Sequence, residues 1–414
     1  MKKITLFLSL LICAAVSVTA WSQQTQAPSL PTAWTLKQCI DYALANNLTV
    51  QRSTYNVEEN QVNYTQSKMN FIPNLNANVS YGYNWGRSVN PVTNQFTTSE
   101  INYLSPGLSS SVTIFNGLRI QNILKQSSRD YQASVEDLQK AKNDLTLNIA
   151  SLFINVIFSK EQLANANSQL SSSQQQLDRT KKQVAAGALP KSNELNLDAQ
   201  VATNELNVIT RENALNLALL QLKQALQLPA STPLDVIEPD LNIEDLVLDQ
   251  DRDEIYDIAR ATLPEIKSAT LKVQSAEYGV KASRGNFYPR LSLSGSVNSN
   301  YSSASDRAHF VPDGGDPTIT YPQIGVVGGP GGTPVYSSQP QIDLSGNVVE
   351  SYGRREQLED NIFRQVSLGL TIPIFNALQT RSAYQRSVIN RQLATISAKE
   401  VDNTLRQSVE TSYN

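Results

Sequence analysis

Asn-Phe-Ile-Pro-Asn-Leu at residues 70–75 recurs as Asn-Phe-Tyr-Pro-Arg-Leu at residues 286–291, and this repetition decides how the rest of the sequence is interpreted. The two motifs lie in longer blocks, residues 40–83 and 256–299, which align without gaps at an offset of 216. Internal similarity at a fixed offset is the signature of a duplicated structural unit. The chain is therefore predicted to contain two repeats of one unit.

A second aligned block follows the first in both repeats. Residues 108–154 align with residues 368–414 at an offset of 260, around the motifs VTIFNGL and IPIFNAL. The two offsets differ by 44, so the second repeat carries 44 additional residues between its blocks, in the region 302–362. Because this region is rich in Gly-Gly, Gly-Pro and Asp-Pro sequences, which favour turns, it is predicted to be a long exposed loop.

The segment upstream of each proline motif has the pattern of two consecutive helices. Residues 36–70 and 252–286 show helical periodicity, with a break near Asn46 and Asn47 in the first repeat and at Pro264 in the second. Proline suits the first turn of a helix but not its interior. A new helix is therefore predicted to begin at each break.

Downstream of each proline the hydrophobic period changes to two, which is typical of a strand with one apolar face. The predicted strands are at about 75–85, 106–115, 291–301 and 364–375. Each has about the length that a tilted strand needs to cross the hydrocarbon layer. The residues predicted to face lipid are Leu75, Val79, Tyr81, Tyr83, Trp85, Leu291, Leu293, Val297, Leu368, Leu370 and Ile372.

The alternative to a membrane barrel is a soluble β-sandwich. Four strands, divided into two distant hairpins and flanked by very long helices, do not supply a sandwich. The barrel interpretation is therefore favoured, with the tyrosines and tryptophan near one strand end suiting an aromatic girdle. The residues predicted to form the junctions between helices and strands are Pro73, Phe115, Asn116, Pro289, Phe375 and Asn376.

A very long helix is predicted after the first pair of strands, because no proline occurs between Asn116 and Pro190. From Leu163 onward its apolar positions have heptad spacing, with the small residues Ala166, Ser173 and Thr180 in alternate layers. Small residues in a heptad seam allow close approach of a neighbouring helix. Residues 118–228 are therefore predicted to form an antiparallel helical hairpin.

The segment AAGALPKSNEL at residues 185–195 is predicted to reverse the chain at the hairpin tip, near residues 187–192. Gly187 suits a helix C-terminal cap, Pro190 ends helical propagation, and Ser192 or Asn193 suits the N-cap of the returning helix. The returning helix is expected to run from about Asn193 to Leu228 and to complete the first repeat, 34–228. Residues 229–251, rich in Pro and Asp, are predicted to connect the repeats as a short irregular girdle at best.

The N-terminus has the three parts of a secretory signal peptide. Lys2 and Lys3 precede an apolar run that ends in the small-residue site Val18-Thr19-Ala20. Such a leader is removed on export, so residues 1–20 are predicted to be cleaved and residues 21–33 to form a flexible N-terminal segment. The protein is therefore expected outside the cytoplasm.

Composition argues against several classes of function. The formal net charge is −3, without a basic stripe that would indicate nucleic-acid binding. The chain has one histidine, His309, and after removal of the leader one cysteine, Cys39, which leaves almost nothing for a metal or general-base site. No catalytic residue, cofactor or metal site is predicted, and an enzyme is disfavoured.

The order of these segments resembles the TolC family of outer-membrane efflux channels. The resemblance covers the chain from about Trp34 to its end and rests on F-x-P-x-L strand entries, I-F-N-G/A strand exits and the G-x-x-P hairpin tip in a fixed order. It implies a mainly α fold with membrane β-strands. In that fold a homotrimer closes one 12-stranded β-barrel in the lipid of a Gram-negative outer membrane, and the helices extend into the periplasm.

The resemblance further implies partners. An inner-membrane pump and a periplasmic adaptor supply energy and substrate, so the chain is expected to be the passive exit duct of a tripartite efflux or type I secretion system. The exposed hairpin tip is then expected to contact the adaptor, although a purely structural helix reversal is the alternative. The expected contact residues are Gly187, Ala188, Leu189, Pro190 and Ser192.

The second repeat, 252–414, departs from this pattern at its end. Applying the offset of 260 to Leu228 places the end of a second hairpin about 74 residues beyond Asn414, so the second repeat is expected to be truncated before its hairpin closes. A competing interpretation is an exported periplasmic coiled-coil adaptor or scaffold that forms no channel. An adaptor, however, would carry compact β-domains around one hairpin.

Overall fold

The computed structural model describes residues 33–89, 96–98, 100–238, 251–303, 307–310, 319–329, 331–338, 341–342, 347–350 and 352–413. The predicted signal peptide and residues 21–32 lie outside these ranges. The chain divides into two compact units. Unit 1 contains Met1–Gln51 and Ala141–Val247, and unit 2 contains Arg52–Lys140 and Leu248–Asn414.

The elements follow one another in the order that the repeats predict. The first repeat and the connecting segment contain β1 (Ala33–Trp34), α1 (Leu36–Asn46), α2 (Leu48–Met69), β2 (Asn74–Asn84), β3 (Arg87–Val89), β4 (Phe96–Thr98), β5 (Ile101–Phe115), α3 (Arg119–Ala185), α4 (Lys191–Ala225) and β6 (Asp235–Val236). The second repeat contains α5 (Arg252–Thr262), α6 (Pro264–Gly285), β7 (Arg290–Asn298), β8 (Tyr301–Ser302), β9 (Arg307–Phe310), β10 (Ile319–Thr320), β11 (Gln323–Val327), β12 (Thr333–Tyr336), β13 (Gln341–Ile342), β14 (Asn347–Glu350), α7 (Arg354–Asp360), β15 (Phe363–Thr371) and α8 (Gln379–Tyr413).

The helix breaks lie where the sequence places them. Thr35 caps α1 through a capping box, in which its hydroxyl accepts from the N–H of Gln38 and the Gln38 side chain accepts from the N–H of Thr35. Asn47 separates α1 from α2, with its Oδ1 accepting from the N–H of Thr49 at 2.8 Å. Pro264 is the first residue of α6. Local capping chemistry therefore sets these boundaries.

The core of unit 1 lies between α1, α3 and α4. Phe153, Ile149 and Leu222 are fully buried there, and the Trp34 and Tyr42 rings meet edge to face with centroids 5.1 Å apart. Burial in this core raises the pKa of the Cys39 thiol to about 11. Unit 1 is therefore stabilised mainly by apolar packing of the two hairpin helices against α1.

A short parallel pairing closes this core and was not predicted. In β1 and β6, Trp34 lies opposite Val236, so part of the connecting segment 229–251 is a strand rather than irregular chain. The ammonium of Lys160 lies 2.8 Å from Oδ1 of Asp235, and this hydrogen bond lowers the pKa of the carboxyl group. Residues 239–250 of the connecting segment lie outside the described ranges.

Polar contacts join the helices of unit 2. Tyr256 Oη donates to Asp402 Oδ1 at 2.9 Å, and Arg260 Nε lies 3.1 Å from the same oxygen, which links α5 to α8. Ser268, which is buried, donates to Asp137 Oδ1 at 2.6 Å and so links α6 to α3. These hydrogen bonds to carboxylates fix the helices at defined positions along one another. No helix in the described ranges combines the length and apolarity needed to cross a bilayer.

Three strands end at different residues from those predicted. β5 begins at Ile101 rather than near residue 106, and β7 ends at Asn298 rather than 301. β15 ends at Thr371, so Ile372 and the rest of the predicted strand to residue 375 lie outside it. Two prolines explain this end. Pro373 follows β15 and Pro289 precedes its partner β7, and neither has an N–H with which to extend the pairing.

The region 302–362, predicted to be a long exposed loop, contains defined elements. It holds the short pairs β11 with β12, β10 with β13 and β9 with β14, followed by α7. Gln357 of α7 is fully buried, and its amide exchanges hydrogen bonds with the N–H and carbonyl of Ser302 at 3.0 and 3.1 Å. The predicted long loop therefore contains short strand pairs and a helix, which turn-rich composition does not reveal.

The unit 1 core yields a matched pair of substitutions on α4. Leu222 is completely buried, whereas Leu217 is 56% exposed. Leu222→Ala is expected to reduce the free energy of unfolding by about 2–5 kcal/mol, because it removes buried methyl groups and leaves a cavity. Leu217→Ala is expected to change it by no more than about 0.5 kcal/mol. Chemical denaturation of the two purified variants measures both values, and equal losses would contradict this core.

Candidate functional site

Four long strands of unit 2 form one antiparallel sheet in the order β15-β7-β5-β2. Each hairpin pairs its own strands, β2 with β5 and β7 with β15, and β5 pairs with β7 to join the hairpins. The short β8 adds a contact to β5 through Tyr301 and Ser302. The sheet therefore assembles the strands of both repeats side by side.

One face of this sheet, called the apolar face, collects the residues that the sequence predicts to meet lipid. Leu293 lies opposite both Val112 and Leu368, and Leu291 lies opposite Leu370. The remaining predicted residues in strands follow the same alternation along β2 and β7, and they are Leu75, Val79, Tyr81, Tyr83 and Val297. Trp85 lies one residue beyond the end of β2, so it is not a strand residue.

The apolar face is largely uncovered in the single chain. Leu75 is 75% exposed, Val366 78% and Leu368 63%. A contiguous apolar surface of this kind marks a site of contact with lipid or with another protein. Most of its cross-strand neighbours are apolar, although Ser110 lies opposite Leu75 and Arg364 lies opposite Val297.

The opposite face, called the polar face, is made mainly of hydroxyl and amide side chains, with Arg290 at the end where Thr371 lies. One row across the sheet consists of Asn74, Ser111, Ser294 and Ser367. Asn74 Oδ1 accepts from the N–H of Ser111 at 2.7 Å, and the hydroxyls of Ser294 and Ser367 are 2.8 Å apart. The polar groups of this row are uncharged and bond one another, so the row forms a hydrophilic surface.

Aromatic side chains cluster at the end of β2. The Tyr81 and Tyr83 rings are edge to face with centroids 5.5 Å apart, and Tyr83 stacks on Trp85 at 6.0 Å. Arg354 lies at the same end, where its guanidinium is 5.3 Å from the ring centre of Tyr301. This arrangement of amphipathic rings beside a cation is the composition favoured at a lipid–water interface.

The strand exits form the same unusual turn in both repeats. Gly117 and Leu118 have φ of +65° and +62°, and the corresponding Ala377 and Leu378 have φ of +51° and +65°. A Cβ on Gly117 would lie 2.5 Å from the carbonyl oxygen of Gly285, so only glycine fits that contact. The contact between Gly117 and Gly285 could not be predicted from the sequence, because the two residues belong to different repeats.

Asparagine side chains begin the helices after these turns. Asn116 Oδ1 accepts from the N–H of Ile120 at 3.3 Å, while Asn376 Nδ2 donates to the hydroxyl of Thr380. Phe115 ends β5, and Phe375 is 82% exposed after the end of β15. Pro73 and Pro289 each precede the first residue of a strand. The structure thus places five of the six predicted junction residues between a helix and a strand, and Phe115 is the last residue of its strand.

The hairpin tip in unit 1 is closed by backbone hydrogen bonds. Gly187 has a φ of +78°, its N–H donates to the Val184 carbonyl at 2.9 Å, and the N–H of Ala188 donates to the Gln183 carbonyl at 2.9 Å. These two bonds constitute a Schellman motif, which satisfies the last carbonyls of α3. Gly187 is therefore the C-terminal cap residue.

The start of the returning helix differs from the prediction. α4 begins at Lys191 after Pro190, and no side chain caps it, so neither Ser192 nor Asn193 is the N-cap. Pro190 takes this position because its extended backbone (ψ 149°) turns the chain into the helix. Glu194, which the sequence reasoning missed, lies 2.6 Å from the Lys191 ammonium in the first turn.

Five predicted contact residues lie together at this tip. Gly187, Ala188, Pro190 and Ser192 are exposed, and Leu189 is half-buried. The tip thus presents a small surface of mainly apolar atoms between two helix ends. Nothing in its geometry provides a catalytic group.

The seam of the hairpin contains a buried polar pair. Ala166, Ser173 and Thr180 are buried, as heptad spacing predicts. Asn204 Nδ2 donates to Ser173 Oγ at 2.9 Å across the two helices, and Gln200 donates to Asn204 Oδ1 at 3.2 Å. A satisfied polar pair in an apolar seam fixes the register of the two helices.

Comparison with known proteins gives a consistent result. Residues 39–227 match the family model described as outer membrane efflux protein. The cation efflux system protein CusC of Escherichia coli (strain K12) is 26% identical over 298 residues, which cover 67% of this chain. The chain spans 60% of the length of that relative.

Solved structures share the fold over most of this chain. A crystal structure of CusC matches with a TM-score of 0.66 at 18% identity, covering 91% of this chain and 74% of that one. The outer membrane protein VceC from Vibrio cholerae matches with a TM-score of 0.68 at 12% identity, covering 91% and 76%. The chain therefore has the TolC-like fold of outer-membrane efflux channels, and its residues 39–227 match the outer membrane efflux protein family.

Proposed function

We propose that this chain is an outer-membrane channel subunit of a tripartite efflux or type I secretion system. It would form a passive exit duct for substrates delivered by an inner-membrane pump and a periplasmic adaptor. The observation that carries the proposal is the four-stranded sheet, with an exposed apolar face, a Ser/Asn-rich polar face and two open edges.

The dimensions of the sheet suit a membrane span. Its strands contain 11, 15, 9 and 9 residues in β2, β5, β7 and β15. A tilted strand of about 9–11 residues crosses the hydrocarbon core of a bilayer. The apolar face would then meet lipid, and the polar face would line water.

The open edges favour assembly of several chains. Among the described strands, neither the outer side of β2 nor that of β15 is paired along the sheet. Lipid offers no hydrogen-bond partner for these backbone groups, so a membrane sheet must close on itself. We propose that three chains supply four strands each and close a 12-stranded barrel in the outer membrane of a Gram-negative bacterium.

The helical hairpin would lie in the periplasm after export. Its tip, formed by Gly187, Ala188, Leu189, Pro190 and Ser192, would contact the adaptor, because it is the part of the hairpin with exposed apolar atoms outside the helical ladder. Export would use residues 1–20 as the signal peptide. CusC, a cation efflux system protein, supports an efflux role in general terms.

Two adjacent substitutions on β15 test the membrane role. Leu368 and Ser367 lie next to each other on opposite faces of the sheet. Leu368→Arg would place a charge against lipid, at a cost of up to about 2–4 kcal/mol near the midplane, and is expected to reduce the membrane-inserted, oligomeric fraction. Ser367→Arg is expected to insert normally. Membrane fractionation with unheated gel electrophoresis measures both, and equal insertion of the two variants would refute the assignment of faces.

A second experiment tests the tip as a partner surface. Ala188→Asp adds a charge to the exposed tip, and it is expected to reduce recovery of the adaptor and pump several-fold when the channel is isolated from cross-linked membranes. Ser172→Asp adds the same charge to an exposed position on α3 and is the matched control. Undiminished recovery with Ala188→Asp would argue that the tip only reverses the chain.

A further inference from the structure

A cavity of about 440 Å³ lies where the polar face of the sheet meets the start of α3. Thr113, Arg290 and Thr371 line it from the polar face, and Arg119 lines it from the first turn of α3. A cleft of this volume is large enough for a small organic molecule. The cavity therefore provides space for a ligand at one end of the sheet.

A second cavity of about 620 Å³ adjoins the first along the polar face. The two cavities share Asn70, Thr113 and Arg290, and the second continues past Ser292 and Ser294. Arg290 thus lies at the boundary between them. A solute that moves along the polar face would pass directly beside its guanidinium group.

The charged groups that line both cavities are cationic. Arg119 and Arg290 are exposed, and no acidic side chain of the described residues lines either cavity. Within the same ranges neither arginine forms an ion pair. Arg290 instead donates to the neutral hydroxyl of Thr113 at 3.4 Å. Since a guanidinium group has several N–H donors, both side chains keep donors available for an anionic ligand.

Arg290 is also the only charged residue on the polar face along β2, β5, β7 and β15, four strands that the structure describes from end to end. The other polar-face positions are mainly serine, asparagine, threonine and glycine. In a confined aqueous path, fixed charges of one sign attract ions of the opposite sign. A positive group on an otherwise uncharged surface therefore favours anions.

Comparison of the repeats shows that the fold does not need either charge. At the offset of 216 Arg290 corresponds to Asn74, and at the offset of 260 Arg119 corresponds to Gln379. Asn74 begins β2 and Gln379 begins α8, just as the arginines begin β7 and α3. The same strand and helix starts thus form with uncharged side chains. The two arginines are therefore better explained by a ligand than by folding.

We infer that Arg119 and Arg290 form an anion-binding site in the wall of the duct, which selects for solutes that carry carboxylate or phosphate groups. The inference rests on the proposed function and adds the chemical class of the substrate. A guanidinium group binds such oxyanions through two parallel N–H donors. Asn70 and Asn116, which line the same cavity, add uncharged donors beside the arginines.

Calorimetric titration of the full chain, expressed with its leader and purified in neutral detergent at low salt, tests the binding site. Citrate and inorganic phosphate are separate probes, and the one that binds more tightly identifies the preferred oxyanion. Arg290→Asn with Arg119→Gln installs the residues of the other repeat. This double variant is expected to bind the preferred probe about tenfold more weakly or less, because it loses hydrogen bonds to a charged group.

The matched control is Arg364→Asn, which removes the same charge from the apolar face of the same sheet. It is expected to bind the probes as the unchanged chain does. Arg290→Asn alone covers the case in which the double variant does not assemble, because it removes the one charge on the polar face. Unheated gels compare the assembly of all the variants.

Ion selectivity in planar bilayers tests the consequence for transport. In a gradient of potassium chloride the unchanged channel is expected to prefer chloride, and the double variant is expected to lower the ratio of chloride to potassium permeability several-fold. The conservative variant Arg290→Lys is expected to retain most of the preference, because the positive charge remains. Arg364→Asn is again the control.

The outcomes separate the inference from the proposed function. Channels that conduct, but whose anion binding and selectivity are the same in the double variant, would overturn the inference and leave the channel proposal intact. A protein that binds the probes through the arginines and conducts no current would overturn the duct while supporting the binding site. Loss of both binding and chloride preference in the double variant, with neither lost in Arg364→Asn, supports the inference.

Discussion

The structure depends on one constraint, which is that every backbone N–H and carbonyl group of a strand needs a hydrogen-bond partner where water is absent. Within the chain the backbone groups of β5 and β7 pair with each other and with their hairpin partners, β2 and β15. Both sides of these two inner strands are therefore hydrogen-bonded. Among the strands that the structure describes, the outer sides of β2 and β15 are not paired along the sheet. In the proposed channel these edges continue an exposed apolar face, so burial in lipid and pairing with further chains would have to occur together.

Duplication provides a simple route to such an assembly. One ancestral hairpin that paired with copies of itself would need the same edges and the same register at every contact. The identical pairing of Leu75 with Ser110 and of Leu291 with Leu370 preserves that rule in both hairpins. The repeats differ between their aligned blocks. The second repeat has the additional turn-rich region 302–362, in which Gln357 hydrogen-bonds the backbone of Ser302.

Patterns with a strict period were the part of the fold that the sequence could predict. Alternation along β2 and β7 located both entry strands, heptad spacing located Ser173 and Thr180 in the helical seam, and Gly187 marked the cap of α3. Features that depend on contacts between distant residues were missed. They include the β1–β6 pairing, because Trp34 and Val236 are brought together only by the packed core of unit 1.

The candidate surfaces, too, were predictable only where a periodic pattern defines them. Which residues share the apolar face could be predicted, because a period of two fixes the face and the register carries it across the sheet. The end of β15 at Thr371 depends on a proline with no N–H, and the start of α4 at Lys191 depends on the backbone of Pro190. The N-cap was missed because Ser192 and Asn193 were equally suitable by composition, and the end of β15 was missed because the apolar alternation continues through Ile372 and Ile374.

The mass of the purified, detergent-solubilised particle, measured by native mass spectrometry, tests the central claim most directly. We expect a particle of three chains, since one chain leaves two strand edges without partners. A stable particle of one chain that needs no detergent would contradict the claim that the sheet is completed by sister chains in a membrane.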